Sequence, residues 1–203
     1  FEVGKPAWYF YGYKYTGIDE ATGNPTFADL NDDNAITEAD KTMIGKGIAD
    51  LTYGITLTAA WKGLDLIVFG TGSYGAHIYS CLNRPDYTLN KLTYFVEDRW
   101  TPSHTKASMP RAGATDMDKY YTSSASVFDG SYFKIKQIQL GYTFPQKWMK
   151  TIKVSNLRVY ASLDDFFTFS DYPGFDPEVT NMGVDKGTFP TSKKVVAGVS
   201  ITF

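Results

Sequence analysis

The chain has 203 residues, enough for one sizeable domain, and its formal charge of −2 gives no electrostatic ground for a nucleic-acid partner. With 43% hydrophobic residues, 15 Tyr and 14 Phe, strand formers dominate the apolar set, so β structure is the first expectation. No run approaches the roughly 18 apolar residues that a membrane helix needs, the single Cys81 has no internal disulfide partner, and no basic-then-apolar signal segment follows Phe1, so the chain reads as a piece of a longer protein.

Taken in order, Pro6 to Thr16 (PAWYFYGYKYT) is strand-like, with rings on both faces. Residues 17–51 have no sustained period and set eight acidic residues against Lys41 and Lys46, a local charge of −6. Thr52 to Trp61 alternates Tyr53, Ile55, Leu57, Ala59 and Trp61 against Thr52, Gly54, Thr56, Thr58 and Ala60. Leu64 to Ser73 is strand again, and two strands joined by Lys62-Gly63 predict a tight hairpin. Residues 74–130 then run for 57 residues with Pro85, Pro102 and Pro110 and little periodicity, longer than a compact soluble domain usually tolerates.

Ser131 to Thr143 returns to strand, with Ile138, Leu140 and Tyr142 opposite Gln137, Gln139 and Gly141. Residues 144–155 make a short connection, and Asn156 to Leu163 alternates Leu157, Val159, Ala161 and Leu163 against Asn156, Arg158, Tyr160 and Ser162 before running on into Phe166, Phe167 and Phe169. After a Pro/Gly-rich loop over 170–193 comes Lys194 to Phe203. One face of that segment, Val195, Ala197, Val199, Ile201 and Phe203, is wholly apolar, and the other, Val196, Gly198, Ser200 and Thr202, is small and mostly polar. About ten residues cross a membrane as a tilted strand. The pattern therefore predicts a lipid-facing strand that closes a barrel, because hydrocarbon leaves no partner for an open sheet edge. Connections that alternate long and short have the asymmetry of such barrels, with short periplasmic turns and long extracellular loops. Five or six antiparallel strands cannot close a wide barrel, so most of the wall is expected upstream.

Several stretches resemble the SusC/RagA-like TonB-dependent outer-membrane transporters: Asp29-Leu-Asn-Asp-Asp-Asn-Ala-Ile36 with Asp40 and Ile44-Gly45, Tyr53-Gly54, and Lys62-Gly63-Leu64-Asp65-Leu66. The resemblance continues through Arg99-Trp100-Thr101-Pro102, Asp129 to Lys136, Leu140-Gly141-Tyr142, Arg158-Val159-Tyr160, Tyr172 to Glu178 and the terminal Phe203. It implies an all-β chain, the C-terminal five or six strands of a transmembrane barrel of about 22 strands, whose plug domain and TonB-contacting segment lie upstream. It also implies a SusD-like lipoprotein lid, import of oligosaccharides or peptides, outer-membrane lipid around the wall, no enzymatic activity, and a terminal Phe203 read by the barrel assembly machinery. The rival expectation is a soluble extracellular β-domain, stiffened by calcium, that binds carbohydrate.

Asp29, Asn31, Asp33, Ala35, Thr37 and Asp40 fall at positions 1, 3, 5, 7, 9 and 12 of a calcium loop, with Ala35 offering its backbone carbonyl. Asn34 stands where Gly is usual and Asp40 where Glu is; the same composition also suits a merely solvated loop. Gly70-x-Gly72-x-x-Gly75 has the dinucleotide spacing but lacks the parallel βαβ unit the chemistry needs, so these glycines are expected to end the strand and turn the loop. Asp164-Asp165 would point to opposite faces of a strand and is expected at a solvated strand end. His77 and His104 lie in long loops with no nucleophile motif. The loop aromatics Tyr79, Tyr87, Tyr94, Trp100, Tyr120 and Tyr121 suit stacking on substrate, contact with a partner, or packing of the loop's own core.

Overall fold

A computed structural model describes residues 2–84, 86, 92–151, 153–179 and 182–203. In chain order the strands are β1 (Tyr9–Tyr13), β2 (Tyr15–Ile18), β3 (Pro25–Phe27), β4 (Lys41–Lys46), β5 (Leu51–Trp61), β6 (Leu64–Tyr74), β7 (His77–Ser80), β8 (Val127–Asp129), β9 (Tyr132–Thr143), β10 (Asn156–Phe169), β11 (Val184–Asp185) and β12 (Lys194–Thr202). Three short helices, α1 (Thr93–Glu97), α2 (Met117–Tyr121) and α3 (Gln146–Thr151), lie in the connections. No helix among the described residues is long and apolar enough to cross a membrane.

The chain divides into two compact units. The loop unit comprises residues 1–50, 74–131 and 171–190. Its β1 pairs antiparallel with β4, β2 with β3, and β7 lies between β8, antiparallel, and β11, parallel. Pro6 to Thr16 is therefore not a sixth long wall strand: its β1 segment finds a partner in Lys41–Lys46, a strand too short to show a period in the sequence. Ile78, Leu82, Cys81, Phe95, Tyr13, Tyr120 and Tyr172 are among the buried apolar residues described in this unit.

The sheet unit, residues 51–73, 132–170 and 191–203, is a five-stranded sheet in the order β12-β10-β9-β6-β5. Long antiparallel registers join β6 to β9, β9 to β10 and β10 to β12. Lys62 and Gly63, at φ 49° and 91°, make the two-residue hairpin turn with both central residues in the left-handed region. Pairing is interrupted once on each side of β9: Gln137 opposes Phe69 and Asp164, and Ile135 opposes Gly70 and Phe167, so Lys136 is an extra residue against β6 while Asp165 and Phe166 oppose it from β10.

The glycine expectation is corrected here. Gly70 and Gly72 do not end their strand; β6 runs through them to Tyr74. A Cβ on Gly70 would stand 2.6 Å from the Phe133 ring, and one on Gly72 would stand 2.3 Å from the Tyr53 ring, so these positions are small because aromatic rings lie across them. Gly75, at φ 80°, makes the turn. Asp164-Asp165 is corrected too. It sits inside β10, where Asp165 takes φ 59°, is buried, and receives the Lys136 ammonium 2.8 Å from its Oδ1.

Candidate functional site

Directly opposed residues share a face of a sheet, so the registers sort every side chain of β6, β9, β10 and β12. One face carries the rows Val68, Ile138, Leu163, Val195; Leu66, Leu140, Ala161, Ala197; Leu64, Tyr142, Val159, Val199; and Leu157, Ile201. Beyond the irregular pairing it continues as Gly70, Ile135, Phe167 and Gly72, Phe133, Phe169. Tyr53 stacks on Phe133 with ring planes 3° apart, which places its alternation partners Ile55, Leu57, Ala59 and Trp61 on this face as well. Nothing charged interrupts it.

This apolar face is uncovered. Val195 is 71% exposed, Val199 64% and Phe203 88%, and every residue of β5 is exposed. Aromatic rings bound it at both ends. At the loop end Tyr53, Phe133 and Phe169 stack in a row, with centroids 6.1 and 6.4 Å apart. At the turn end Tyr142 meets Phe144 at 5.0 Å, Phe144 meets Trp148 at 6.1 Å, and Trp61 is exposed beside the hairpin turn. The nine steps from Phe133 to Tyr142 along β9 rise about 30 Å. At a barrel tilt of about 40° that becomes about 23 Å, close to the apolar band of about 25 Å between the aromatic girdles of membrane barrels.

The opposite face carries the polar chemistry. Arg158 donates from Nε and Nη2 to the two carboxylate oxygens of Asp65, at 3.0 and 2.5 Å, a two-pronged pair that spans β9. The span passes over Gly141, where any Cβ would come within 2.4 Å of Arg158 Nη2 and 2.6 Å of Asp65 Oδ1. Tyr160 lies beside the guanidinium at 5.2 Å, its ring seated over Gly198, where a Cβ would stand 2.4 Å from the ring. Farther toward the loop end, Lys134 faces Thr71 and Thr168 across the ladders, Gln137 reaches Ser162 at 3.5 Å, and Ser162 donates to Asp164. The alternation of β10 and β6 was legible in the sequence. That Asp65, Gly141 and Arg158 meet was not, because 93 residues separate the charged pair.

In the loop unit the six calcium-loop residues lie in a tight set of side-chain-to-backbone bonds that includes two successive Asx turns. Asp29 Oδ2 accepts the Asn34 amide at 2.7 Å, Asn31 Oδ1 accepts that of Asp33 at 3.2 Å, and Asp33 Oδ1 accepts that of Ala35 at 2.8 Å. Asn34 takes φ 64°, the left-handed conformation the usual glycine would supply. Fully buried Asp40 accepts the amides of Leu30 and Thr37, each at 2.8 Å, and the two bonds, Thr37 first, hold its carboxyl below the usual carboxylate range. Asp29 Oδ1 is buried without a hydrogen-bond partner. Among the described residues no three His, Cys, Asp or Glu side chains gather as metal ligands would.

The loop aromatics pack against the loop unit itself. Tyr120, 3% exposed, meets Tyr15 and Tyr121 edge to face and donates to Met109 Sδ at 3.3 Å; burial pushes its phenol far above the usual range. Tyr79 donates to the Tyr121 carbonyl at 2.7 Å, Tyr94 lies edge-on to Phe128 and accepts from Asn83, and Trp100 covers Gly23 and donates to the Glu20 carbonyl at 3.0 Å. Tyr87 lies outside the described residues. Of the two histidines, His104 Nε2–H donates to Asp98 Oδ1 at 2.7 Å, and among the described residues neither ring is hydrogen-bonded to a Ser, Thr or Cys side chain.

No protein-family model matches the chain. It is 30% identical to the TonB-dependent receptor P3 of Formosa agariphila, over 96% of this chain and 22% of that protein. It is 28% identical to the TonB-dependent receptor SusC of Bacteroides thetaiotaomicron, over 94% of this chain and 19% of that one. Among solved structures, a chain of the RagAB peptide transporter superposes on all of this chain with a TM-score of 0.83 and 26% identity, this chain covering 23% of it. The RagAB peptide importer in its open-open state gives 0.79 and 25%, with 23% of that chain covered. This chain thus spans about a fifth of the length of the curated relatives it matches.

Proposed function

Because the chain belongs to the SusC/RagA-like family of TonB-dependent transporters, as the C-terminal part of its barrel, we propose that the five-stranded sheet is outer-membrane barrel wall in a protein that imports oligosaccharides or peptides. The observation that carries this reading is the unbroken apolar face, bounded by rings at a spacing close to the membrane's apolar band, set against a face of ion pairs and amides. In mechanism, the apolar face meets lipid and the polar face lines the lumen through which cargo passes once an upstream plug yields to TonB. The Asp65–Arg158 pair gives that lumen a fixed, charge-balanced wall near the short turns. The loop unit presents the surface that meets a SusD-like lipoprotein and the incoming cargo, and the barrel assembly machinery inserts the whole. Its role is transport rather than catalysis, as the names of its relatives support.

A soluble carbohydrate-binding domain would need protein over Val195, Val199 and Ile201, which no described residue of this chain covers. For the Asp29–Asp40 loop we propose a structural calcium ion. The unpaired Asp29 Oδ1 and the left-handed Asn34 support it, and Asn31, Thr37 and the Ala35 carbonyl would supply oxygens beyond the carboxylates.

The test uses nitroxide labels at Val199 and Ser200 of the full-length protein in bilayers. Oxygen should broaden the label at residue 199 more than a polar nickel complex does, with the order reversed at residue 200. Equal access of both reagents to both sites would sink the barrel reading. Uptake of labelled oligosaccharides and peptides by cells with and without functional TonB then separates the two cargo classes.

A further inference from the structure

The turn end of the sheet carries four lysines, Lys62 in the β5–β6 turn and Lys147, Lys150 and Lys153 in the β9–β10 connection, and no acidic residue accompanies them in either segment. All four are exposed, and none forms an ion pair among the described residues. Lys41, Lys46, Lys119 and Lys136, in other segments, are each matched by a carboxylate. At this end of the polar face Asp65 and Arg158 satisfy each other. Four unmatched cations on one rim repel one another unless an anion joins them.

Tryptophans accompany these lysines. Lys62 Nζ stands 4.7 Å above the Trp61 ring, and exposed Trp148 is joined through Phe144 to Tyr142, the outermost ring of the apolar face. Trp and Lys together at the end of an apolar band mark the level of lipid headgroups. Just inside that rim the apolar face is grooved. A cavity of about 310 Å³ is lined by Leu64, Leu140, Tyr142, Val159 and Ala161, with the backbone at Gly141 and Tyr160. Within that lining Ala161, opposite Leu140, is the small side chain of the apolar face, so the surface drops there.

We propose that this rim and groove hold one anionic phospholipid of the periplasmic leaflet, its phosphate among Lys62, Lys147 and Lys150 and an acyl chain in the groove. The inference rests on the barrel reading above, which puts the short turns at the periplasmic surface. An open apolar depression below a rim of lysines and tryptophans fits an amphiphile with an anionic head. Free phosphate would leave the groove unused, and a neutral lipid would leave the lysines unmatched.

The full-length transporter, reconstituted in nanodiscs of equal phosphatidylglycerol and phosphatidylcholine with identical acyl chains and then released into mild detergent, tests this by native mass spectrometry of retained lipid. Phosphatidylglycerol should be retained over phosphatidylcholine about tenfold, with each Lys→Gln change at 62, 147 or 150 lowering the preference by up to about fivefold and the triple variant abolishing it. Ala161→Phe, which fills the groove, should lower retention of both lipids while leaving the preference. Millimolar inorganic phosphate should not compete. Equal retention in the wild type, or an undiminished preference in the triple variant, overturns the site while correct insertion keeps the barrel. A protein that stays in solution without detergent and takes up neither lipid overturns both.

Discussion

Tyr172 and Asp185 show what one hydroxyl does inside the loop unit. The phenol donates to Asp185 Oδ2 at 2.6 Å, the carboxylate is only 2% exposed, and burial, reinforced by that bond, pushes the phenol far above its ordinary range. Tyr172→Phe leaves a buried carboxylate oxygen unmatched, at a cost of about 1–3 kcal/mol. Amide exchange in the full-length protein should register this as faster opening of 171–179 and 182–187, with the sheet unit unchanged. At the calcium loop, titration of Ca²⁺ into wild type should give binding in the range of extracellular modules, about 0.1–1 mM. Asp29→Ala should remove it, and flat heats from wild type and variant alike would end the proposal.

The element joining Asp98 to Met109 is a small clasp. Asp98 accepts the Ser108 amide at 2.9 Å and the His104 ring at 2.7 Å, and across the base the Trp100 amide donates to the Met109 carbonyl and the Met109 amide to the Asp98 carbonyl. Ser108, followed by His104, depresses the Asp98 carboxyl from 3.8 to about 2. A depressed carboxyl contributes its stability in full above its ordinary value and loses it as pH falls through the folded one. Exchange protection at Ser108 and Met109, corrected for intrinsic rates, should therefore hold above about pH 4 and fade toward pH 2. Asp98→Asn should flatten that profile.

Strands of this length were legible because alternation over eight or more residues leaves little else for the chain to be; Leu51–Trp61 and Lys194–Thr202 fall within a residue or two of where the pattern puts them. The clasp, α1 and α2 were not legible, since five residues span too little of a helical period and the bonds that fix them come from other segments. Asp164-Asp165 misled for a related reason. Two adjacent acids look like a solvated end unless the Lys136 that receives one of them is known to lie opposite. The Asp29–Asp40 turns were readable as a motif, while the unmatched oxygen that bears on an ion was not.

For the molecule as a whole, the two faces of the sheet make opposite demands. Ile138 lies midway along the apolar face of β9, and Gln139, its neighbour, lies on the polar one. Ile138→Arg should destabilise the full-length barrel by about 2–4 kcal/mol, the cost of a cation at the bilayer midplane. Gln139→Arg should cost far less while altering what passes through the lumen. Urea unfolding in lipid vesicles measures the first and cargo uptake the second. Similar stability losses at both positions would mean that the faces are not separated by lipid and water.

The extra residue at Lys136 has a consequence for how regular such a sequence can be. Counting back from Tyr142, Leu140 and Ile138 in twos, strict alternation would carry Lys136 and Lys134 onto the oily side of the wall. The irregular pairing advances the phase of β9 by one residue, so that Ile135 and Phe133 take the oil while Lys134 stands opposite Thr71 and Thr168 and Lys136 turns to Asp165. Removing Lys136 would give β9 an unbroken two-residue rhythm from Phe133 to Tyr142, and it would leave Asp165 buried with no cation. A shorter, tidier strand would be the worse one: here the fault in the pattern lets a single strand serve two neighbours that keep different counts.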